Sequence, residues 1–271
     1  MLMKSVSILA LALAIAHGQA SAAGDADSIA EGGMGGGATT TVAPLNLPEG
    51  GWYTAAELGA ITTSGNTTGT SVTGKIDARH EMEQWSNEYV VSGFFKQDEF
   101  TRADGTKYSQ RAAERYSLSA KAAYKLIGEG KRAFVLGSHV NDKFGAYTRY
   151  STFAIGHGSQ WFSSPDATLD VELGPGYFSG ERATGEGESG ITVRAATRFR
   201  WRLSESALFA QNTSVERGTS NVHSLAETSV STKINGTMQM KAAFTARNDS
   251  NVPDGKKNLD TQTSLTLVYS F

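Results

Sequence analysis

The stretch Thr261-Gln-Thr-Ser-Leu-Thr-Leu-Val-Tyr-Ser-Phe271 sets Leu265, Leu267, Tyr269 and Phe271 alternately against Ser264, Thr266, Val268 and Ser270. Successive side chains of a strand point to opposite faces, so this segment offers one apolar stripe and one small, mostly hydroxylated stripe. In a soluble sandwich the apolar stripe turns inward. In a membrane barrel it turns outward to lipid, and the polar stripe lines a lumen. The rest of the chain decides between the two.

Thirty glycines, five prolines and abundant Ser and Thr among 271 residues suit many strands and turns. A mean hydropathy of -0.30 argues against a helical membrane protein. With no cysteine there is no disulfide, thiolate metal site or lipidated Cys. A formal charge of -2, from 25 basic and 27 acidic residues, provides no global field toward nucleic acid.

Export is signalled at the start. Lys4 precedes the apolar run Val6 to Ala16, and Ala20-Ser21-Ala22 fits a signal-peptidase site, so residues 1–22 read as a signal peptide. The run is shorter than the roughly 20 residues a spanning helix needs, and no later run approaches that length. Residues 23–50, with Gly32-Gly33-Met34-Gly35-Gly36-Gly37, read as a flexible Gly-rich segment. A phosphate loop would need a following Lys-Ser/Thr and a βα setting, and neither is present.

From residue 51 to 271 alternating segments are separated by turn residues. Trp52, Thr54, Ala56, Leu58 and Ala60 share a face, and Ser64-Gly65-Asn66 turns the chain toward Val72, Gly74, Ile76 and Ala78. Trp85 to Phe95 and Tyr116 to Leu126 are further strands, divided by a charged loop from Asp98 to Lys107. The next strand has Phe134, Leu136 and Val140 as its apolar residues. Phe153 to Trp161, Leu169 to Tyr177, and Ile191 to Leu203 follow, with a polar loop from Gly180 to Glu188. Beyond Phe209, Thr213 and Val215 come Val222 to Ile234, the hairpin signal Asn235-Gly236, Met238 to Ala246, and a loop from Asn248 to Asn258. The pattern predicts an all-β fold, an antiparallel up-and-down transmembrane β-barrel of about twelve strands. If the first strand starts in the periplasm, Trp52, Trp85, Trp161, Trp201, Tyr269 and Phe271 all fall near periplasmic strand ends, where amphipathic rings favour the headgroup zone.

The opposite faces are too charged for a dry core. One strand carries Arg194, Arg198, Arg200 and Arg202, and its hairpin partner offers Asp170 and Glu172 within cross-strand reach. Glu57, Lys75, Arg115, Lys121 and Lys125 have the same phase. Unpaired charge on a lipid face costs several kcal/mol, so these residues are expected to line the lumen. The Arg row reads either as a bias toward anions or as an ion-pair ladder filling a narrow barrel.

No residues are assigned to catalysis, cofactor or metal binding. A lipid-active outer-membrane enzyme is the alternative, and it would need a nucleophile beside a His with an orienting group. His157-Gly158-Ser159 is the suggestive neighbourhood, while His80, His139 and His223 show no evident partner. A soluble secreted β protein is the remaining alternative.

Ala56-Glu57-Leu58-Gly59, Thr63-Ser64-Gly65-Asn66-Thr67, Gly174-Pro175-Gly176-Tyr177, and the ending from Asn248 through Val252-Pro253-Asp254-Gly255 to Phe271 carry a resemblance. The segment from Trp52 resembles the salt-induced outer-membrane protein family, domain of unknown function 481. That resemblance implies a β-barrel in the outer membrane of a Gram-negative cell, linked to salt or envelope stress. It implies no catalytic or ligand residues. Tyr269 and Phe271 also look like the assembly signal of such barrels, read by strand addition. The expected partners are therefore outer-membrane lipid, lipopolysaccharide and the assembly machinery, and no nucleic acid.

Overall fold

The computed structural model describes residues 50–63, 68–102, 106–253 and 257–271, and at 61–63, 68 and 101 the backbone alone. The expected signal peptide, the Gly-rich segment up to residue 49 and the turn at 64–67 lie outside these residues.

Twelve strands follow in order: β1 (Trp52–Thr63), β2 (Thr68–Glu81), β3 (Trp85–Thr101), β4 (Lys107–Lys125), β5 (Lys131–Asp142), β6 (Tyr147–Ser163), β7 (Ala167–Arg182), β8 (Gly187–Arg202), β9 (Ala207–Arg217), β10 (Val222–Lys233), β11 (Met238–Asp249) and β12 (Leu259–Ser270). Each pairs antiparallel with the next, and β12 returns to β1, closing the sheet. Closure gives every strand a neighbour on both sides, as a sheet in lipid requires. The seam is short, from Ala55↔Ser270 to Leu58↔Leu267.

Period-2 patterning decides which side chains face out. On β8, Ile191, Val193, Ala195 and Trp201 are exposed while Thr192, Arg194 and Arg200 are buried. β12 keeps its phase, with Leu265, Leu267 and Tyr269 exposed and Thr266 and Val268 buried. Lipid therefore meets the apolar face, and the exposed rings Trp52, Trp85, Trp161, Trp201, Tyr269 and Phe271 gather at the end that holds Trp52 and Ser270. We call this the terminal end and the other the distal end. Trp52 stacks on His80 with centroids 4.3 Å apart.

The structure departs from the sequence reading in four places. On β5 the apolar row faces inward: Phe134, Leu136 and Val140 are 2%, 5% and 0% exposed, whereas Val135 is on the outer surface. Phe134 and Leu136 pack with Ala123 and Ala154, so this wall is filled by hydrocarbon and small outer residues suffice. Second, two of the expected loops are about half strand. Asp98 to Thr101 extends β3, Gly180 to Arg182 extends β7, and 183–186 alone connects β7 to β8. Charged residues continue the ladder there because beyond the lipid both faces can be wet. Third, Asn235-Gly236 is no two-residue hairpin. Its turn spans 234–237, and Asn235 Oδ1 accepts from the N–H groups of Thr237 and Met238 at 2.9 and 2.8 Å, an Asx turn. Fourth, the expected Asp170/Glu172-to-Arg pairing is replaced by other partners, described below.

The Gly174-Pro175-Gly176 motif marks a close approach. The β6–β7 ladder runs from Ala154↔Gly176 to His157↔Leu173 without pairing the residues between. Pro175 has no N–H to give. A Cβ on Gly174 would lie 1.9 Å from the Ile155 carbonyl oxygen and 2.6 Å from Gly156 Cα, so glycine is required for space.

Candidate functional site: a charge-filled lumen

A closed sheet with an apolar exterior collects its charges inside. Glu57 on β1, Lys75 on β2, Arg115 and Lys121 on β4, Asp170 and Glu172 on β7, and Arg194, Arg198 and Arg200 on β8 lie on this inner face. Lys125 sits at the terminal-end rim, 2.6 Å from Glu81 and donating to the Met82 carbonyl at 2.7 Å. Arg202 is exposed at the end of β8.

Asp170 faces Arg198 across the β7–β8 ladder, but it pairs with Arg132 of β5, and Glu172 pairs with Lys121. Arg198 crosses to β3, where its two terminal nitrogens donate to Glu88 Oε1 and Oε2 at 2.8 and 3.0 Å. Arg194 meets Glu216 of β9 at 2.7 Å. Lys241 of β11 lies 3.4 Å from both Glu57 and Glu227. Bidentate, charge-assisted contacts of this kind offset much of the desolvation cost of buried charge. Glu88, Glu216, Glu227 and Lys241 follow from the strand phase that placed Glu57 inward, whereas Arg132 shares the face of Phe134 and Leu136 on β5, whose phase the sequence hides.

Two cavities lie in the lumen, and the cross-lumen bridge lines one of them. One, with about 640 Å³ of empty space, is lined by Glu88, Lys121, Asp170, Glu172, Arg194 and Arg198. The other, with about 990 Å³, lies among β1–β4 and β10–β12 and is lined by Glu57, Lys75, Arg115, Glu227, Lys241 and Arg247. Val90, Ser119 and Leu225 border both.

The distal end is partly stoppered. Val140, Ala146, Tyr147, Tyr150 and Phe178 form a buried cluster against which Val252 of the β11–β12 connection packs. The His223 ring sits 5.2 Å from Phe178 and 5.4 Å from Tyr147, and it meets Asp249. Asn221 ties the connections together. Its Oδ1 accepts from Ser250 Oγ at 2.9 Å and the Asn251 N–H at 3.0 Å, and its Nδ2 donates to Asp249 at 3.1 Å. Glu188 accepts from the Tyr147 hydroxyl at 2.7 Å, from Arg182 Nε at 2.8 Å and from Ser220.

Three histidines acquire surroundings that the sequence did not reveal. His80 stacks on Trp52, His223 joins the stopper, and His139 Nδ1 lies 2.9 Å from Ser151 Oγ on the outer surface. His157 is exposed. Among the described residues no group of three or more His, Asp or Glu is placed to hold a metal ion.

A closed sheet with an apolar exterior and an ionic interior defines a transmembrane β-barrel of the outer-membrane type. The chain belongs to the family described as protein of unknown function, DUF481, which matches residues 56–271. It is 24% identical over 162 residues to the uncharacterized protein YdiY of Escherichia coli (strain K12), a match covering 59% of this chain and 64% of that protein, so it spans less than two thirds of the relative's length. An outer membrane channel from Pseudomonas putida F1 superposes with a TM-score of 0.53 at 10% identity, covering 86% of this chain and all of that one. The NanC porin superposes with a TM-score of 0.50 at 8% identity, covering 79% and 98%. At these identities the likeness bears on the fold.

Proposed function

We propose that the chain is a non-enzymatic barrel of the Gram-negative outer membrane that acts as a restrictive channel, passing small solutes only when ion pairs across its lumen give way. The observation that carries this reading is the bidentate bridge from Arg198 on β8 to Glu88 on β3, which lines one of two polar cavities in the lumen. An envelope-structural barrel could fill its interior with hydrocarbon throughout, as the β5 wall does, whereas paired charges beside cavities leave a route for water. In this reading the terminal end faces the periplasm and the stoppered end faces outward. Export by residues 1–22 and recognition of Tyr269 and Phe271 by the assembly machinery belong to the same proposal. So does the link to salt stress, since rising ionic strength screens the partly hydrated pairs and favours opening.

Planar-bilayer recording tests it. The wild-type barrel should conduct weakly, with conductance rising more steeply than bulk conductivity as salt increases, and the Glu88→Ala/Arg198→Ala double variant should conduct more. If both folded barrels are silent, the channel reading is wrong and an envelope-structural role takes its place. Loss of intact phospholipid or lipopolysaccharide on incubation with pure barrel would instead favour the lipid-active alternative.

A further inference from the structure

We infer that the larger lumen cavity is a binding site for a compact multivalent oxyanion of the phosphate type. Its lining holds four cations, Lys75, Arg115, Lys241 and Arg247, against two carboxylates, Glu57 and Glu227. Both carboxylates lie at ion-pair distance from the same ammonium, that of Lys241. Among the described residues no carboxylate oxygen comes within 4.0 Å of Lys75, Arg115 or Arg247. The facing acids do not fill the gap. Asp142 stands opposite Arg115 and Asp260 opposite Arg247 in the ladders, but neither reaches ion-pair distance, and Asp142 Oδ1 accepts from the N–H groups of Phe144 and Gly145 at 3.1 and 3.0 Å.

Burial makes the imbalance informative. Arg115 is 9% exposed, and Arg247 Nε is a buried donor with no hydrogen-bond partner. The Arg247 head makes a long contact, Nη1 to Gln262 Oε1 at 3.4 Å. Guanidinium groups held out of water with unfilled donors are costly unless something anionic arrives. In contrast, Arg198 and Arg194 in the other cavity each donate to a carboxylate, although the Arg194 Nε has no hydrogen-bond partner. Two members of the Arg row that sequence reading singles out, Arg194 and Arg198, thus have carboxylate partners, while the cations of the larger cavity with none within 4.0 Å sit on β2, β4 and β11.

The donor set indicates what would fit. Two planar forks and an ammonium approach from separate strands, with Ser117, Thr245, Gln262 and Ser264 beside them as neutral hydrogen-bonding groups. Guanidinium forks match tetrahedral oxyanions through paired N–H···O contacts. A divalent phosphate also answers more of the surplus charge than a chloride ion does.

Titration calorimetry of the folded barrel in detergent, with inorganic phosphate at fixed low ionic strength and chloride as comparator, tests the site. Phosphate should bind saturably and chloride should compete poorly. Arg115→Gln and Arg247→Gln should each weaken phosphate about tenfold or more, the loss of roughly one charge-assisted contact, while Lys143→Gln, on an exposed connection, should not. If the Arg variants do not fold, Lys75→Gln, at a half-buried position, carries the same expectation. Heats of dilution alone, or equal phosphate affinity in all variants, would overturn the inference. Binding is read without a membrane, so a silent barrel in bilayer recording bears on the channel and not on this site.

Discussion

Asp170 is the ladder neighbour of Arg198, yet Arg198 makes its bidentate pair with Glu88 on the far side of the barrel. Inside a barrel every inward side chain points toward a shared axis, so a long guanidinium can choose among partners on several strands. Register then sets which strand a charge comes from, while reach and competition set which charge it meets. Asp170, with a short side chain, is engaged by Arg132.

Removing one partner of the cross-lumen bridge should cost more than removing both. Glu88→Ala strands a half-buried guanidinium and Arg198→Ala a half-buried carboxylate, each expected to cost up to about 3–5 kcal/mol. The double variant should be less destabilised than the sum of the singles. Urea unfolding of the barrel in liposomes gives the three values, and strict additivity would show that the pair contributes nothing as a pair.

Gly174→Ala should sharply lower the yield of folded barrel. The added methyl meets the backbone at Ile155 and Gly156 rather than a movable side chain, so β6 and β7 must separate. Gly190→Ala, where a Cβ meets nothing within 4 Å, is the matched control. Heat-modifiable mobility on gels distinguishes the two.

The barrel was legible because lipid imposes a simple rule on alternate residues, and β1, β4, β8 and β12 obey it. β5 hid its phase because Phe134, Leu136 and Val140 are apolar on an inner wall, where hydrophobicity carries no information about side. The lumen residues Glu57, Lys75 and Arg115 follow from phase alone. Pairings across the lumen do not, since Arg198–Glu88 joins strands that share no ladder and residues 110 apart in sequence. The stopper was invisible for the same reason: Tyr147, Phe178 and His223 come from three strands and meet through closure.

Asn221→Ala should loosen the distal end. Five contacts converge on this buried amide from Tyr147, His223, Asp249, Ser250 and Asn251. Its loss leaves buried donors and acceptors unpaired, at about 1–3 kcal/mol each. Limited proteolysis should cut the 250–258 connection faster in the variant, and equal rates would show that Asn221 does not hold it.

Sidedness itself can be tested at neighbouring positions of one strand. Val193 is exposed on the outer face of β8, and Thr192 is buried on the inner face. If the outer face meets acyl chains, Val193→Arg should cost about 2–4 kcal/mol near the bilayer midplane, falling toward zero at outer-face sites near the strand ends. A charge near the headgroups can reach water, whereas one at the centre cannot. Val193→Arg and Trp201→Arg, both on the outer face of β8 but at different depths, should therefore differ in liposomes by more than in detergent, where the depth gradient is relaxed. Equal costs in both media would mean that the apolar exterior does not face lipid.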